Sequence, residues 1–151
     1  MTKIQKKYQD YVATMQKRAD VDYSIGLLSW DKETYMPDKG ARFRSQQIAT
    51  LSGISHEIFT DKKLGKILTD LNDKADKLDK RQAKNVKLSL KEYERATKLT
   101  KEFVIKKSQA ISNAYHAWVK ARKANDFKVY KKELGIVVDI CREEAELIGY
   151  K

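Results

Sequence analysis

The run H-E-I-F-T that begins at His56 is the segment of this sequence closest to a catalytic motif. Zinc peptidases use H-E-x-x-H, in which two histidines on one helix face bind the metal and the glutamate acts as general base. Here Thr60 occupies the second ligand position, and the other histidine, His116, lies at an unrelated spacing. We therefore predict no catalytic residue and no metal ligand in this chain, with His56 packed or at the surface.

A second candidate is the acidic pair Asp31 and Glu33, which could be read as a general acid and base. Two residues apart on a helix, these side chains point away from each other. The alternative is a salt bridge to Arg42 or Arg44 across the turn at Pro37, and the sequence favours this structural use.

Four aromatic residues could line a ligand groove or lie in the core: Trp30, Tyr35, Tyr115 and Trp118. Aromatic residues at helical spacing are more often core residues, and we predict that use here. No residue is assigned to substrate binding. Cys141 is the only cysteine, so no intramolecular disulfide can form, and its apolar neighbours predict a buried thiol.

The chain is strongly basic, with 32 Lys and Arg against 21 Asp and Glu and a formal net charge of +11. Such a charge could attract nucleic acid, but the lysines are spread along the whole sequence and no nucleic-acid motif accompanies them. We expect a solvated basic surface and no specific nucleic-acid binding. The first residues contain no apolar stretch, and no run reaches membrane-spanning length. The chain is expected to be cytoplasmic, with no membrane partner.

Apolar residues recur every three or four positions almost throughout, which predicts an all-α fold. We expect a bundle of about six to seven helices and no sheet. The predicted segments are 4–19, 21–32 after an N-cap at Asp20, 41–59, 64–71 after an N-cap at Asp61, 81–99, 103–122, and 127–148 ended by Gly149. The segment around Trp30 is apolar nearly all round and is predicted to be the most buried. Residues 1–151 should form one helical region, with a weak boundary near the charged stretch 72–80.

Residues 27–37, with the sequence L-L-S-W-D-K-E-T-Y-M-P, take the interpretation further. This segment resembles a W-D-x-E/Q-T-x-M-P signature near the start of the thermostable (Taq-type) metallocarboxypeptidase family. The resemblance continues in the same order through residues 47–51, 56–61, 93–99, 116–127 and 144–150. It therefore extends over essentially the whole chain.

Members of that family are several-fold longer and carry H-E-x-x-H, a glutamate ligand and a substrate-binding arginine beyond this region. The resemblance implies a helical N-terminal region that forms a wall or cap of a substrate groove, with dimer contacts possible. Zinc or another divalent metal and the peptide substrate would be bound by the longer protein, which releases C-terminal amino acids. The chain is expected to be a truncated piece, inactive alone, whose partner is the remainder of the enzyme.

The alternative hypothesis is a stand-alone basic helical module that binds other proteins or, weakly, nucleic acid. The nucleotide sequence after codon 151 would separate the two hypotheses. Continued coding with H-E-x-x-H favours the enzyme, whereas a native stop codon favours the module.

Overall fold

The computed structural model describes residues 2–149, which form six α-helices and no strand. The all-α prediction is confirmed, since 88% of the residues are helical. Among the six helices none has the length and apolarity that a bilayer crossing requires. The helices are α1 (Lys3–Thr34), α2 (Ala41–Phe59), α3 (Lys62–Asn72), α4 (Lys80–Ala96), α5 (Lys101–Ala124) and α6 (Lys128–Ile148).

Helix α1 is continuous over 32 residues, so the predicted division at Asp20 is wrong. The helix begins with a capping box, in which Thr2 and Gln5 exchange side chain to backbone hydrogen bonds of 3.0 and 3.2 Å. Asp20 is exposed on the helix surface, and Ser55 donates a 2.6 Å hydrogen bond to Asp22. Neither aspartate interrupts the helix, because aspartate keeps the backbone N–H that proline lacks.

A leucine core holds α3 against α1 and α4. Asp61 caps α3 as predicted, and its carboxylate accepts a 2.6 Å hydrogen bond from the backbone N–H of Lys63. Leucines spaced by four and three then fall on one buried face of the helix. The buried members of the leucine core are Tyr11, Phe59, Leu64, Leu68, Leu71 and Val86.

A small-residue layer joins α2 to α5. Its buried positions are occupied mainly by side chains of two or fewer heavy atoms, which let the helix backbones approach closely. At Gly53 a Cβ would lie 3.0 Å from Cδ1 of Ile105, so even one added carbon would be crowded. The small buried members of this layer are Ser45, Ala49, Gly53 and Ser112, whereas Ala110 packs with Phe103 and with Ile140 of α6.

Helix ends otherwise follow the sequence signals. Asn125 ends α5 in the left-handed region with φ of 49°, and Asp126 accepts a 2.9 Å hydrogen bond from the N–H of Lys128 at the start of α6. Gly149 ends α6 with φ of 76°, a conformation that glycine adopts without steric cost. The charged stretch 72–80 contains a 3-10 turn, Ala75–Lys77, which lies between α3 and α4.

The prediction that the Trp30 segment is the most buried element is wrong. Tyr23, Leu27 and Trp30 are exposed, and Phe43 on α2 is 72% exposed. The C-terminal part of α1 packs on α2 and leaves its other sides uncovered. A helix that is apolar all round can be buried all round only if other elements surround it.

Candidate functional site

The motif-like run at His56 has a structural use. The ring Nε2 of His56 lies 2.9 Å from the carbonyl oxygen of Leu99, so a protonated Nε2 donates to that carbonyl. Glu57 forms a 2.9 Å ion pair with Lys101, and the Thr60 hydroxyl donates a 2.8 Å hydrogen bond to the carbonyl of His56. These contacts join the end of α2 to the start of α5. Within residues 2–149 no three His, Cys, Asp or Glu side chains form a possible metal site.

The acidic pair at the end of α1 is separated by the structure. Asp31 forms an ion pair with Arg44, which confirms one of the two predicted partners. Arg44 also donates to the carbonyl of Leu28 at 3.1 Å and to Oε1 of Gln47 at 3.0 Å. Glu33 is exposed, so no acid–base pair forms. The guanidinium therefore fixes α2 against the last turns of α1.

An aromatic surface, formed by Trp30, Tyr35, Tyr115 and Trp118, replaces the core predicted for these residues. Trp30 is 54% and Tyr35 75% exposed, and their rings pack edge to face with centroids 5.5 Å apart. Tyr115 and Trp118 pair on α5 at 6.1 Å. The ammonium of Lys32, on α1, lies 4.7 Å from the Tyr115 ring centroid and connects the two helices.

Cys141 was predicted to be buried and is exposed on α6. It lies in a shallow cleft of about 510 Å³ with Val137 and Val138. Val138, which lies on the same side of α6 as Cys141, is also 39% exposed, so this side of the helix carries apolar side chains that no other described helix covers. The helical spacing correctly indicated an apolar face, but it did not show which neighbour would cover that face.

A polar pocket of about 670 Å³ opens between α2, α5 and α6. Sequence reasoning missed it, since its residues come from three helices that are distant in the chain. A serine within the buried face of α2 was the one available signal. The hydrogen-bonding and charged side chains that line it include Arg42, Ser45, Gln109, His116, Lys120 and Glu133.

His116 is the titratable group of this pocket whose pKa is shifted. Burial lowers the pKa of His116 below its ordinary value, and the positive charges of Lys32 and Lys120 lower it further. Asp38 acts in the opposite direction and is the weakest of these influences. The imidazole is therefore held in its neutral form, in which one ring nitrogen can accept a hydrogen bond.

A second cavity of about 350 Å³ lies between α1, α2, α4 and the ends of α5 and α6. The guanidinium carbon of Arg18 lies 3.9 Å from the Phe59 ring centroid, and its Nε is 3.4 Å from a carboxylate oxygen of Asp22. Asp22 also accepts the hydrogen bond from Ser55. Asp22 thus joins Arg18 of α1 to Ser55 of α2, although Nε of Arg18 forms no hydrogen bond within the described residues.

Comparison with known proteins shows which family this chain belongs to. The profile of the carboxypeptidase Taq (M32) metallopeptidase family matches residues 9–151, almost the entire chain. The chain belongs to that family. The family assignment agrees with the resemblance seen in residues 27–37.

Individual relatives show the same relationship. Thermostable carboxypeptidase 1 of Thermus thermophilus is 28% identical over 144 residues, which cover 93% of this chain and 28% of that protein. A solved structure called CHT is 46% identical with a TM-score of 0.71, over 97% of this chain and 29% of that one. The BsuCP crystal structure has a TM-score of 0.93 at 23% identity, over 97% and 29%, and supports the fold alone. The chain thus spans somewhat over a quarter of the length of the proteins it matches.

Proposed function

We propose that this chain forms the helical N-terminal part of a zinc-dependent metallocarboxypeptidase, where it provides a wall or cap of the substrate groove. The longer protein would release C-terminal amino acids from peptides. The observation that carries the proposal is the family match over residues 9–151 in a chain that spans 28% of the length of its Thermus relative.

The exposed apolar surfaces support this proposal. Leu27 on α1 is 64% exposed, and Val138 is 39% exposed on α6 beside Val137 and Cys141. Contiguous apolar surface of this kind marks contact sites in soluble proteins. In a protein of the length of its relatives, the remaining residues are the natural partner for both surfaces. A second copy of the chain is the alternative partner.

The division of chemistry follows from the side chains present. The described residues do not fit a metal site, because His56 contacts a backbone carbonyl and Thr60 stands at the second ligand position. The metal of this family would therefore be bound by residues of the longer protein. We propose that the residues of this chain instead shape the groove and exclude water from it, which strengthens electrostatic interactions inside.

The experiment is to isolate the native protein with an antibody raised against residues 1–151. The precipitate is assayed for release of C-terminal amino acids from a peptide, with and without a metal chelator. We expect a polypeptide several-fold heavier than 17.5 kDa, with chelator-sensitive activity. The recombinant 151-residue chain, assayed in parallel with added zinc, should release no amino acid.

Preimmune serum is the control for activity carried over from the extract. A precipitated protein of the mass of this chain, without activity or an associated subunit, would contradict the proposal. Size measurement of the recombinant chain by light scattering separates the two possible partners, because a stable dimer indicates that a second copy covers the apolar surfaces.

A further inference from the structure

An apolar groove of about 530 Å³ lies between α1 and α2 at the surface of the molecule. Its apolar lining consists of Leu28 from α1 and of Phe43 and Leu51 from α2, and Phe43 is 72% exposed. From Phe43 to Leu51 the groove follows α2 for about 12 Å, since a helix rises 1.5 Å per residue. Three polar side chains, all of them uncharged, complete the lining: Gln46, Gln47 and Thr50.

The helix segments on both sides of the apolar groove lack positive charge. Lys and Arg make up 32 of the 151 residues, yet residues 19–31 of α1 and 45–61 of α2 contain neither. Solvated helix faces elsewhere in the chain carry lysines, as α4 does with the exposed Lys84 and Lys87. Apolar side chains together with few charges are typical of the centre of a protein contact. The composition thus indicates that another element covers the groove.

We propose that the apolar groove receives an amphipathic helix from the remaining part of the longer metallocarboxypeptidase. This inference rests on the proposed function, and it adds the surface to which the remainder binds and the chemistry of the segment that binds there. Because the chain covers 28% of its Thermus relative, most of that length is available to supply the helix.

The lining determines the chemistry of the incoming helix. Leu28, Phe43 and Leu51 fit large apolar side chains at positions i, i+4 and i+7 of one face, the usual arrangement where a helix binds in a groove. The residues beside that apolar stripe should be uncharged. The amide and hydroxyl groups of the lining offer no opposite charge to a charged side chain that loses its water there.

A second copy of the chain is a less suitable occupant of the groove. Two copies that each carry a net charge of +11 repel each other as they approach. A two-fold contact also requires a face that fits itself, whereas a groove fits a projecting element. A helix of the same polypeptide is held near the groove at a high effective concentration and does not have to overcome this repulsion between separate molecules.

The test compares hydroxyl-radical oxidation of two phenylalanine rings in the 151-residue chain and in the longer native protein, measured residue by residue by mass spectrometry. Phe43 and Phe127 are both well exposed in this chain, at 72% and 60%, but only Phe43 lines the groove. Phe127 is followed by the exposed Lys128 and serves as the control. We expect oxidation of Phe43 to fall several-fold in the longer protein and oxidation of Phe127 to stay unchanged.

Thr50→Lys and Asn85→Lys form a matched pair of variants, because each adds a positive charge at an exposed helical position and only Thr50 lines the groove. Thr50→Lys should lower the melting temperature of the longer protein and leave that of the 151-residue chain unchanged. Asn85→Lys should change neither temperature. Equal melting temperatures of the two variants in the longer protein would contradict the inference.

The outcomes separate this inference from the proposed function. Equal oxidation of Phe43 in a longer protein with chelator-sensitive activity would overturn the inference and leave the proposed function intact. Protection of Phe43 that increases with the concentration of the 151-residue chain would also overturn it, because a second copy would then occupy the groove. A native protein of only 17.5 kDa would contradict the proposed function and this inference with it.

Discussion

Helix α3 and helix α5 bury very different side chains. Leu64, Leu68 and Leu71 of α3 are each at most 2% exposed, whereas α5 buries mainly alanine and serine. Large buried side chains contribute most of the hydrophobic stabilisation of a core. Small ones let helices approach closely but leave large residues of the same helices outside. Tyr115 and Trp118, the large aromatic residues of α5, lie in the aromatic surface and not in its buried face.

The largest effect should come from the leucine core. Leu68→Ala empties a fully buried site and should cost about 2–5 kcal/mol of unfolding free energy, through lost burial and a residual cavity. Leu27→Ala, on the exposed part of α1, is the matched control and should change stability by about 0.5 kcal/mol or less. Urea denaturation measures both. Equal losses would mean that the Leu27 surface is covered in solution.

Adding one methyl group at a buried glycine and at an exposed one compares the covered and the uncovered parts of the molecule. A Cβ at Gly65 would overlap the Tyr93 ring, whereas a Cβ at Gly26 meets no atom within 4 Å. Gly65→Ala should therefore cost about 1–3 kcal/mol. Gly26→Ala should stabilise the helix by about 0.5–1 kcal/mol, because alanine loses less backbone entropy. Denaturation midpoints with unchanged slopes would establish both signs, and a destabilised Gly26→Ala variant would show that another surface covers this helix face.

Trp30 tests the aromatic surface directly. With about half of the side chain exposed, Trp30→Ala should lower the stability of the isolated chain by about 1 kcal/mol or less. A core tryptophan, as the sequence alone predicts, would cost about 3–5 kcal/mol. Thermal melting separates the two values. A loss of about 3–5 kcal/mol of unfolding free energy would mean that Trp30 is buried, either within this chain or at a contact between two copies.

The smallest effect concerns the pH dependence of stability and His116, which lines the polar pocket. Because the pKa of His116 is lowered in the folded state, the unfolded chain binds a proton at higher pH than the folded chain does. The stabilisation linked to the neutral ring is complete above the ordinary pKa of 6.5 and is lost as pH falls through the lowered value. Wild type should lose more stability between about pH 7 and pH 5 than His116→Gln. Parallel pH profiles would contradict this.

The positions of the helices and of several local contacts could be predicted from the sequence. The start of α2 at Ala41 and its end at Phe59, the Asp61 cap and the Gly149 ending were all predicted and are confirmed. So was the salt bridge of Asp31 with one of two arginines. These features depend on residues close in the chain, whose capping groups and spacing are visible in the sequence itself. The false break at Asp20 arose because aspartate can cap a helix but does not have to.

Only the tertiary structure decided which apolar faces are covered. Trp30, Phe43 and Cys141 lie in helical patterns that resemble those of core residues, yet all three are exposed. Burial depends on whether another helix passes over a face, and that information is not local to the face. The same reason hid the polar pocket, since Ser45 and His116 line it together only because α2 packs on α5.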